Sequence, residues 1–232
     1  MTLEMYVVNT SLACDHRLYA GGQWVNDTRQ RCPECNAFIE DTEPSTIEIE
    51  LNHLGKHGFV EFLWNSHALP LFRQDLLRLW QRSVITNLHG KPVNIVGWYG
   101  KSNKALPEKM PTYQRLITTS TVQLTEPLPQ GVCATCGFVS YSFPDIGHID
   151  KGLKIDEDSW DGSEFCRLKG YDFLFCTRHV VEITLKEGYT KHLVFVKAEK
   201  WEQWEEFDIR KWTPQKYSEY LETFLIRRLE DL

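Results

Sequence analysis

The spacing of apolar and polar residues predicts mainly short strands in the N-terminal part of the chain. Residues 3–8 and 23–26 have the composition of strands, and Gly21 and Gly22 between them favour a turn. Residues 46–51 alternate apolar or β-branched residues with polar ones, which predicts a strand with one buried face and one acidic face in water. This part of the chain is therefore expected to be β structure.

The middle of the chain combines a helical pattern with many turn residues. Apolar residues recur at helical spacing over residues 69–84, and Pro70 lies where a first helical turn tolerates proline. Residues 87–112 are rich in glycine and proline and are predicted to be a turn-rich connection with a short strand over residues 93–98. Residues 113–126 are predicted to form one further strand.

The C-terminal part of the chain predicts a β-α-β element followed by a helix. Residues 171–176 are a continuous apolar run typical of a strand, and Thr177 after them is a suitable N-cap. Gly188 is a helix stop, and residues 193–197 have the pattern of a second strand. A last helix is predicted to begin at Thr213, and its apolar stripe can dock on the domain or on a partner.

Together these elements predict an α+β protein with mixed or antiparallel β structure. The chain has 232 residues, of which 42% are hydrophobic and 25% charged, so its composition is that of a folded protein with a buried core. Two lobes are expected, residues 1–140 and residues 141–232, packed on each other within one fold.

Acidic residues outnumber basic ones, 32 against 26, and the formal net charge is −6. The acids cluster over residues 40–50, 156–164 and 202–208, which predicts a surface that attracts a basic partner. Nucleic acid is not expected as the main partner, because no extended cluster of Lys and Arg is present. No signal-peptide pattern and no apolar run of ~20 residues is found, so a cytoplasmic location without membrane insertion is expected.

Two CxxC pairs, Cys32 with Cys35 and Cys133 with Cys136, supply the four thiolates of a tetrahedral zinc site. A reducing cytoplasm favours such thiolates over disulfides. Residues 36–132 separate the pairs, far more than the ~15–20 residues of a compact zinc ribbon. One structural zinc ion is therefore predicted to join distant segments as a split four-cysteine ribbon.

The residue after each pair also favours a metal site. Asn36 follows the first pair and Gly137 follows the second, and both tolerate the left-handed turn that folds backbone amides toward the sulfurs. Cys176, by contrast, lies in an apolar run and is expected to be a small buried side chain.

Other uses of the cysteines remain open from the residues alone. Pro33 within the first pair is typical of a thioredoxin-like redox site, although that chemistry needs only one CxxC at the start of a helix. In the zinc site, His148 can replace one cysteine as a ligand. Rubredoxin-like iron or an iron–sulfur cluster would use the same four thiolates. Disulfides are the remaining alternative.

No catalytic constellation accompanies the cysteines in the sequence. Four protein thiolates leave zinc no open position, and the eight histidines form no HExxH motif. There is no GxSxG elbow, and residues 97–100 lack the pattern of a phosphate loop. Residues 177–179 at a helix start can bind an anion, although a capped helix alone explains them. The chain is therefore not expected to be an enzyme.

The pattern around the two cysteine pairs extends over residues 1–198. It consists of Trp24 before the first pair, the alternating strand of residues 47–51, the Leu-rich helix of residues 71–80, the acidic stretch leading into residues 161–165 and the strand-helix-strand of residues 173–196. The combination resembles the double-CXXCG motif family. The second pair matches the motif in full with Gly137, whereas the first ends in Asn36.

The resemblance implies a function in toxin neutralisation, because the family includes immunity proteins against toxins exchanged between bacterial cells. The expected function is that of a non-enzymatic cytoplasmic immunity protein that binds a cognate basic toxin and holds a structural zinc ion. The alternative is a zinc-ribbon module that binds nucleic acid or regulates another protein.

Overall fold

The computed structural model describes residues 3–10, 20–27, 31–36, 47–65, 71–83, 87–101, 103–126, 130–137, 139–141, 152–168, 174–189, 193–200, 230 and 232. The chain divides into two compact units. The central unit is Thr10–Thr118, and the terminal unit combines Met1–Asn9 with Thr119–Leu232. These units differ from the expected lobes of residues 1–140 and 141–232, because residues 5–7 and residues 121–122 both pair with strands from the C-terminal part of the chain.

The described part of the central unit is one six-stranded sheet with one helix. After β1 (Met5–Thr10), which pairs in the terminal unit, the elements are β2 (Gly21–Asp27), β3 (Ile47–His53), β4 (Trp64–Asn65), β5 (Leu71–Arg73), α1 (Gln74–Arg82), β6 (Leu88–Trp98) and β7 (Tyr113–Thr118). Their order across the sheet is β4-β2-β3-β6-β7-β5. β3 runs parallel to β6 and antiparallel to β2, so the sheet is mixed.

The alternating pattern of β3 places its apolar residues in the core of the central unit. Ile47, Ile49 and Leu51 are fully buried, whereas Glu48 and Glu50 between them are half-exposed. Successive side chains of a strand point to opposite faces, so β3 has one core face and one acidic face. The predicted strand is confirmed here with the predicted faces.

The turn expected at Gly21 and Gly22 is wrong, because both residues lie inside β2. A Cβ atom on Gly22 would lie 2.2 Å from Cγ2 of Ile49 on β3, closer than packed atoms tolerate. The two glycines therefore leave room for the side chains of His53 and Ile49 on β3, a role that a sequence pattern does not separate from a turn.

The helix expected over residues 69–84 begins later than predicted. Leu71 to Arg73 form strand β5 against β7, and the helix starts only at Gln74. Leu71 packs in the sheet core, while Phe72 faces the opposite side and meets the Trp80 ring of α1 with centroids 5.3 Å apart. Because both faces of β5 are buried, its apolar residues follow one another as they would on a buried helix.

β6 is longer than the strand expected over residues 93–98, since it begins at Leu88 and passes through Gly90 and Pro92. Pro92 has a partner residue on β7, but the pairing with β3 starts only at Val93. The missing N–H of the proline is therefore tolerated at the margin of the sheet.

The described part of the terminal unit contains a five-stranded sheet, a hairpin and one helix. Its elements after β1 are β8 (Thr121–Val122), β9 (Gln130–Val132), β10 (Val139–Tyr141), β11 (Phe165–Leu168), β12 (Leu174–Thr177), α2 (Arg178–Lys186) and β13 (Leu193–Lys197). The sheet order is β13-β1-β12-β11-β8, and β9 pairs with β10 separately. The single strand expected over residues 113–126 is thus wrong, because it divides into β7 and β8 in different sheets.

The predicted β-α-β element is confirmed as β12, α2 and β13, with β1 lying between its two strands in the sheet. Gly188 ends α2 with a φ of 80°, and its N–H donates to the carbonyl of Leu185 at 3.0 Å. The helix expected from Thr213 onward lies outside the described residues. The part of the chain that the structure describes is therefore α+β, mostly strands with two α-helices.

Candidate metal centre

The second CxxC pair lies in the loop of a β-hairpin. Val132 at the end of β9 pairs with Val139 at the start of β10, so the loop between them is held at both ends. Within it the N–H of Gly137 donates to the carbonyl of Cys133 at 2.8 Å. Gly137 has a φ of 70°, the left-handed conformation that this turn requires.

The first CxxC pair makes the same turn. The N–H of Asn36 donates to the carbonyl of Cys32 at 2.9 Å, and Asn36 has a φ of 58°. It is the one residue other than glycine with a positive φ among those that the structure describes. Asn tolerates this conformation better than most residues, so the departure from the glycine of the motif leaves the turn intact.

Arg31 contributes to the first turn and was not singled out from the sequence. Its Nη1 donates to the carbonyl of Asn36 at 3.1 Å, so the side chain spans the turn from one end to the other. The position of a basic residue immediately before the first cysteine is the sequence feature that could have indicated this contact.

The four cysteines of the two pairs come together. Their Sγ atoms all lie within 4.8 Å of one another, although residues 36–132 separate the pairs. Four sulfurs at about 2.3 Å from one tetrahedral ion are about 3.8 Å apart, so this spacing suits a metal ion. The predicted ligand residues Cys32, Cys35, Cys133 and Cys136 can therefore hold a metal.

Exposure differs among the four cysteines. Cys32 is 2% exposed, Cys133 and Cys136 are half-buried, and Cys35 is exposed. None of these four cysteines forms a disulfide. Four protein ligands complete a tetrahedral shell, so an ion held by all four has no position left for a substrate.

The other two described cysteines lie away from this centre in the terminal sheet. Burial raises the pKa of the Cys166 thiol to about 12, and the Asp161 carboxylate adds to that shift. Burial also raises the pKa of Cys176 well above its ordinary value. A buried protonated thiol is a poor metal ligand and a poor nucleophile, so both act as small core side chains. Cys14 and His148 lie outside the described residues.

The start of α2 is occupied by contacts within the protein. The Thr177 hydroxyl donates to Oε2 of Glu164, and Nδ1 of His179 lies 2.9 Å from Oε1 of the same carboxylate. Arg178 donates through Nε to Glu182 at 2.8 Å. The basic side chains of Arg178 and His179 face carboxylates, which does not favour an anion site. The hydroxyl of Thr177 is directed to Glu164 instead of His179, which does not favour a nucleophile–base pair.

Glu4 is the centre of a polar group that the sequence pattern does not predict. Its carboxylate accepts from Nζ of Lys197 at 2.9 Å, from Nη1 of Arg178 at 3.4 Å and from the Tyr6 hydroxyl at 3.3 Å. The hydrogen bond from Lys197 lowers the pKa of Glu4. Lys197 and Arg178 are far from Glu4 in the sequence. Lys197 reaches Glu4 because β1 lies beside β13.

No helix in the described segments is long and apolar enough to cross a membrane. A scan against protein-family models and a search of curated proteins both find no match for this chain. The resemblance to the double-CXXCG family therefore rests on the two CxxC pairs and the pattern around them, and it stays a prediction.

Proposed function

We propose that Cys32, Cys35, Cys133 and Cys136 bind one structural zinc ion. This proposal is supported by the four Sγ atoms, which lie within 4.8 Å of one another. The two CxxC pairs that supply them make the same backbone turn. Zinc prefers four thiolates in tetrahedral geometry, and it would supply a cross-link that needs no redox chemistry. The hairpin of β9 and β10 provides one half of a split zinc ribbon.

Elemental analysis of the purified protein tests the identity of the metal. Zinc at one equivalent per chain supports the proposal. Iron at one equivalent, with the visible absorption of an iron–thiolate centre, would assign the same four ligands to a rubredoxin-like site instead.

We further propose that the chain is a non-enzymatic immunity protein of the bacterial cytoplasm, which binds and neutralises a cognate toxin. The family resemblance in the cysteine pairs and their surroundings suggests this function. The completed thiolate shell is compatible with it, because such a metal acts on folding and leaves substrate chemistry to other groups. Neutralisation would then come from binding the toxin.

The expected partner is a basic protein. A net charge of −6 attracts positively charged proteins over distances of about a Debye length and raises their association rate. The same charge opposes binding to nucleic acid, whose affinity for proteins depends on Lys and Arg contacts to phosphate. Neither nucleic acid nor a membrane is part of the proposed interaction.

Coexpression with the product of the adjacent gene tests the immunity function. We expect the two proteins to copurify and the chain to restore the growth of cells that express the toxin. A vector without insert is the control for growth, and the Cys133→Ser variant shows whether rescue requires the metal centre. Absence of both a complex and rescue contradicts the proposal. Salt-sensitive retention on DNA or RNA columns would support the nucleic-acid-binding alternative instead.

A further inference from the structure

The central sheet has one face that α1 covers only in part. On the core face lie Ile49 of β3 and Val93 of β6. On the opposite face α1 packs over β5, β7 and the start of β6, where a Cβ atom on Gly90 would lie 2.2 Å from Cδ2 of Leu77. The rest of this face, on β2, β3 and the end of β6, has no described helix over it.

Two bulges turn valines outward on this open part of the sheet. In β2 the register shifts between Trp24 and Asn26, so Val25 is the extra residue opposite Glu48. In β6 the pairing passes from Ile95 to Gly97, so Val96 is the extra residue opposite Glu50. Val25 is 44% exposed and Val96 47% exposed, although most large apolar side chains of this unit are buried. Bulges often redirect side chains at functional surfaces.

Each of these valines lies beside a carboxylate of β3. Glu48 and Glu50 are half-exposed and lie on one face of the strand, about 7 Å apart along it. Asn26 donates to Glu48 at 3.2 Å, and Gly97 leaves room for Glu50, whose Oε1 is 3.7 Å from where a Cβ would be. No ion pair to either carboxylate is found among the described residues.

Glu48 and Glu50 have no ion pair among the described residues, and an exposed valine lies beside each carboxylate. This arrangement is complementary to a lysine or arginine side chain. The aliphatic stem of such a side chain packs on an apolar neighbour while its charged end pairs with a carboxylate. The spacing of about 7 Å between Glu48 and Glu50 equals that of alternate residues on an extended chain. A segment with basic residues at alternate positions therefore complements this face.

We propose that the outer face of β2, β3 and β6, defined by Val25, Glu48, Glu50 and Val96 and called the acidic sheet face, docks a basic extended segment of a partner protein. This inference rests on the proposed immunity function, because it assigns the acidic sheet face as the surface that binds the toxin. It names the chemistry of the contact: two carboxylate–cation pairs beside apolar contacts to the valines.

A phage-displayed library of random peptides tests the face without the toxin. Peptides selected on the wild-type protein are expected to be enriched in Lys and Arg. They are expected to bind the Glu48→Gln/Glu50→Gln variant at least about tenfold more weakly, because both carboxylate–cation pairs are lost. Glu108→Gln/Glu187→Gln is the matched control, since it removes the same net charge at two exposed glutamates, and its binding is expected to change less than about twofold.

The valines provide a second arm of the experiment. Val25→Ser/Val96→Ser is expected to weaken the same peptides while leaving both carboxylates in place. Zinc content and the unfolding midpoint of every variant are measured, so that a loss of binding is not a loss of fold. Selected peptides that lack basic residues, or that bind all variants equally, would overturn the proposal.

The toxin experiment separates this inference from the proposed immunity function. If the adjacent gene product copurifies with Glu48→Gln/Glu50→Gln as well as with the wild type, the acidic sheet face is not the binding surface, although the immunity function stands. If that product does not bind at all while basic peptides still require Glu48 and Glu50, the docking surface stands and its partner is another basic protein.

Discussion

Asn36 and Gly137 have the same position in the two cysteine turns, and each provides a positive φ and an N–H that bonds to the first cysteine of its pair. This turn is what brings the two sulfurs of one CxxC pair to the same side. A β-branched residue at either position would be strained, because its side chain collides with the backbone in the left-handed conformation. The metal centre therefore depends on the residue after each pair as well as on the cysteines.

At the residue scale, Cys133→Ser is expected to remove the metal and destabilise the fold. A serine hydroxyl does not replace a thiolate ligand, and the loss of a structural metal costs about 3 kcal/mol or more. Elemental analysis should find less than one zinc per chain, and urea unfolding should show a lower midpoint. Cys166→Ala is the control, because it removes a buried thiol outside the centre and should keep one zinc per chain. A Cys133→Ser protein with full zinc content would contradict the assignment.

At the scale of elements, glycines inside strands decide how closely the elements pack. Gly22 of β2 lies against the fully buried Ile49 of β3, whereas Gly97 of β6 has only the flexible Glu50 side chain nearby, at 3.7 Å. Neither glycine has a positive φ, so the space around each one determines how an added side chain would change the stability of the fold. The two positions make a matched pair.

Gly22→Ala is expected to lower the free energy of unfolding by about 1–3 kcal/mol, the usual cost of overpacking a core. Gly97→Ala is expected to change it by less than about 1 kcal/mol, since the added methyl group meets only ordinary contacts. Urea unfolding of the two variants measures the difference. Equal effects of the two substitutions would mean that the Ile49 side chain does not pack against Gly22 as described.

The contacts of Glu4 join β1 to β13 and α2, and they predict a dependence of stability on pH. Because the hydrogen bond from Lys197 lowers the pKa of Glu4 below 4.5, the folded state favours the charged carboxylate. Its contribution is therefore present above pH 4.5 and is lost as the pH falls through the lowered pKa. The carboxylate is 40% exposed, so the contribution is below about 1 kcal/mol.

Glu4→Gln is expected to lower stability at pH 7 slightly. This effect is expected to shrink as the pH is lowered toward 2, because protonation of the wild-type carboxylate removes its interaction with Lys197. Urea midpoints measured between these pH values should converge as the pH falls. Glu187→Gln, a change of the same charge at an exposed residue, should leave the difference from wild type constant across the range. If the urea midpoints of Glu4→Gln and the wild type moved apart as the pH fell, the charged Glu4 carboxylate would not stabilise the folded state.

At the scale of the whole molecule, a metal bound by four cysteines closes a long loop in the chain. Cross-linking residues so distant in sequence reduces the entropy of the unfolded chain more than a short loop would. We expect such an ion to bind the folded state, because the unfolded chain has no preformed site. The metal affinity then becomes folding free energy.

The unfolding midpoint is therefore expected to rise with the free zinc concentration. Urea unfolding in zinc buffers set by chelators should show a steady increase, of about 1.4 kcal/mol in unfolding free energy for each tenfold increase in free zinc above its dissociation constant. The Cys133→Ser variant should show little dependence on zinc. A wild-type midpoint that is independent of zinc would mean that the four sulfurs hold no ion in solution.

Local chemistry made much of the cysteine centre and part of the fold predictable. The CxxC spacing and the residues Asn36 and Gly137 predicted the turns, because each turn is completed within a few consecutive residues. The alternation in β3 predicted its buried face for the same reason. Strand β5 was predicted as helix because Leu71 and Phe72 are buried on opposite faces, a pattern that periodicity does not distinguish from a buried helix.

The cysteine turns, several strands and the β-α-β element were predictable from the order of the amino acids, since these features depend on neighbouring residues. The folded chain alone shows that the four sulfurs meet, that β1 pairs beside β13 and that the valines opposite Glu48 and Glu50 remain exposed. These features join residues distant in the chain, and which of them meet depends on packing and strand register. The proposed metal centre and the proposed docking surface both depend on such long-range contacts.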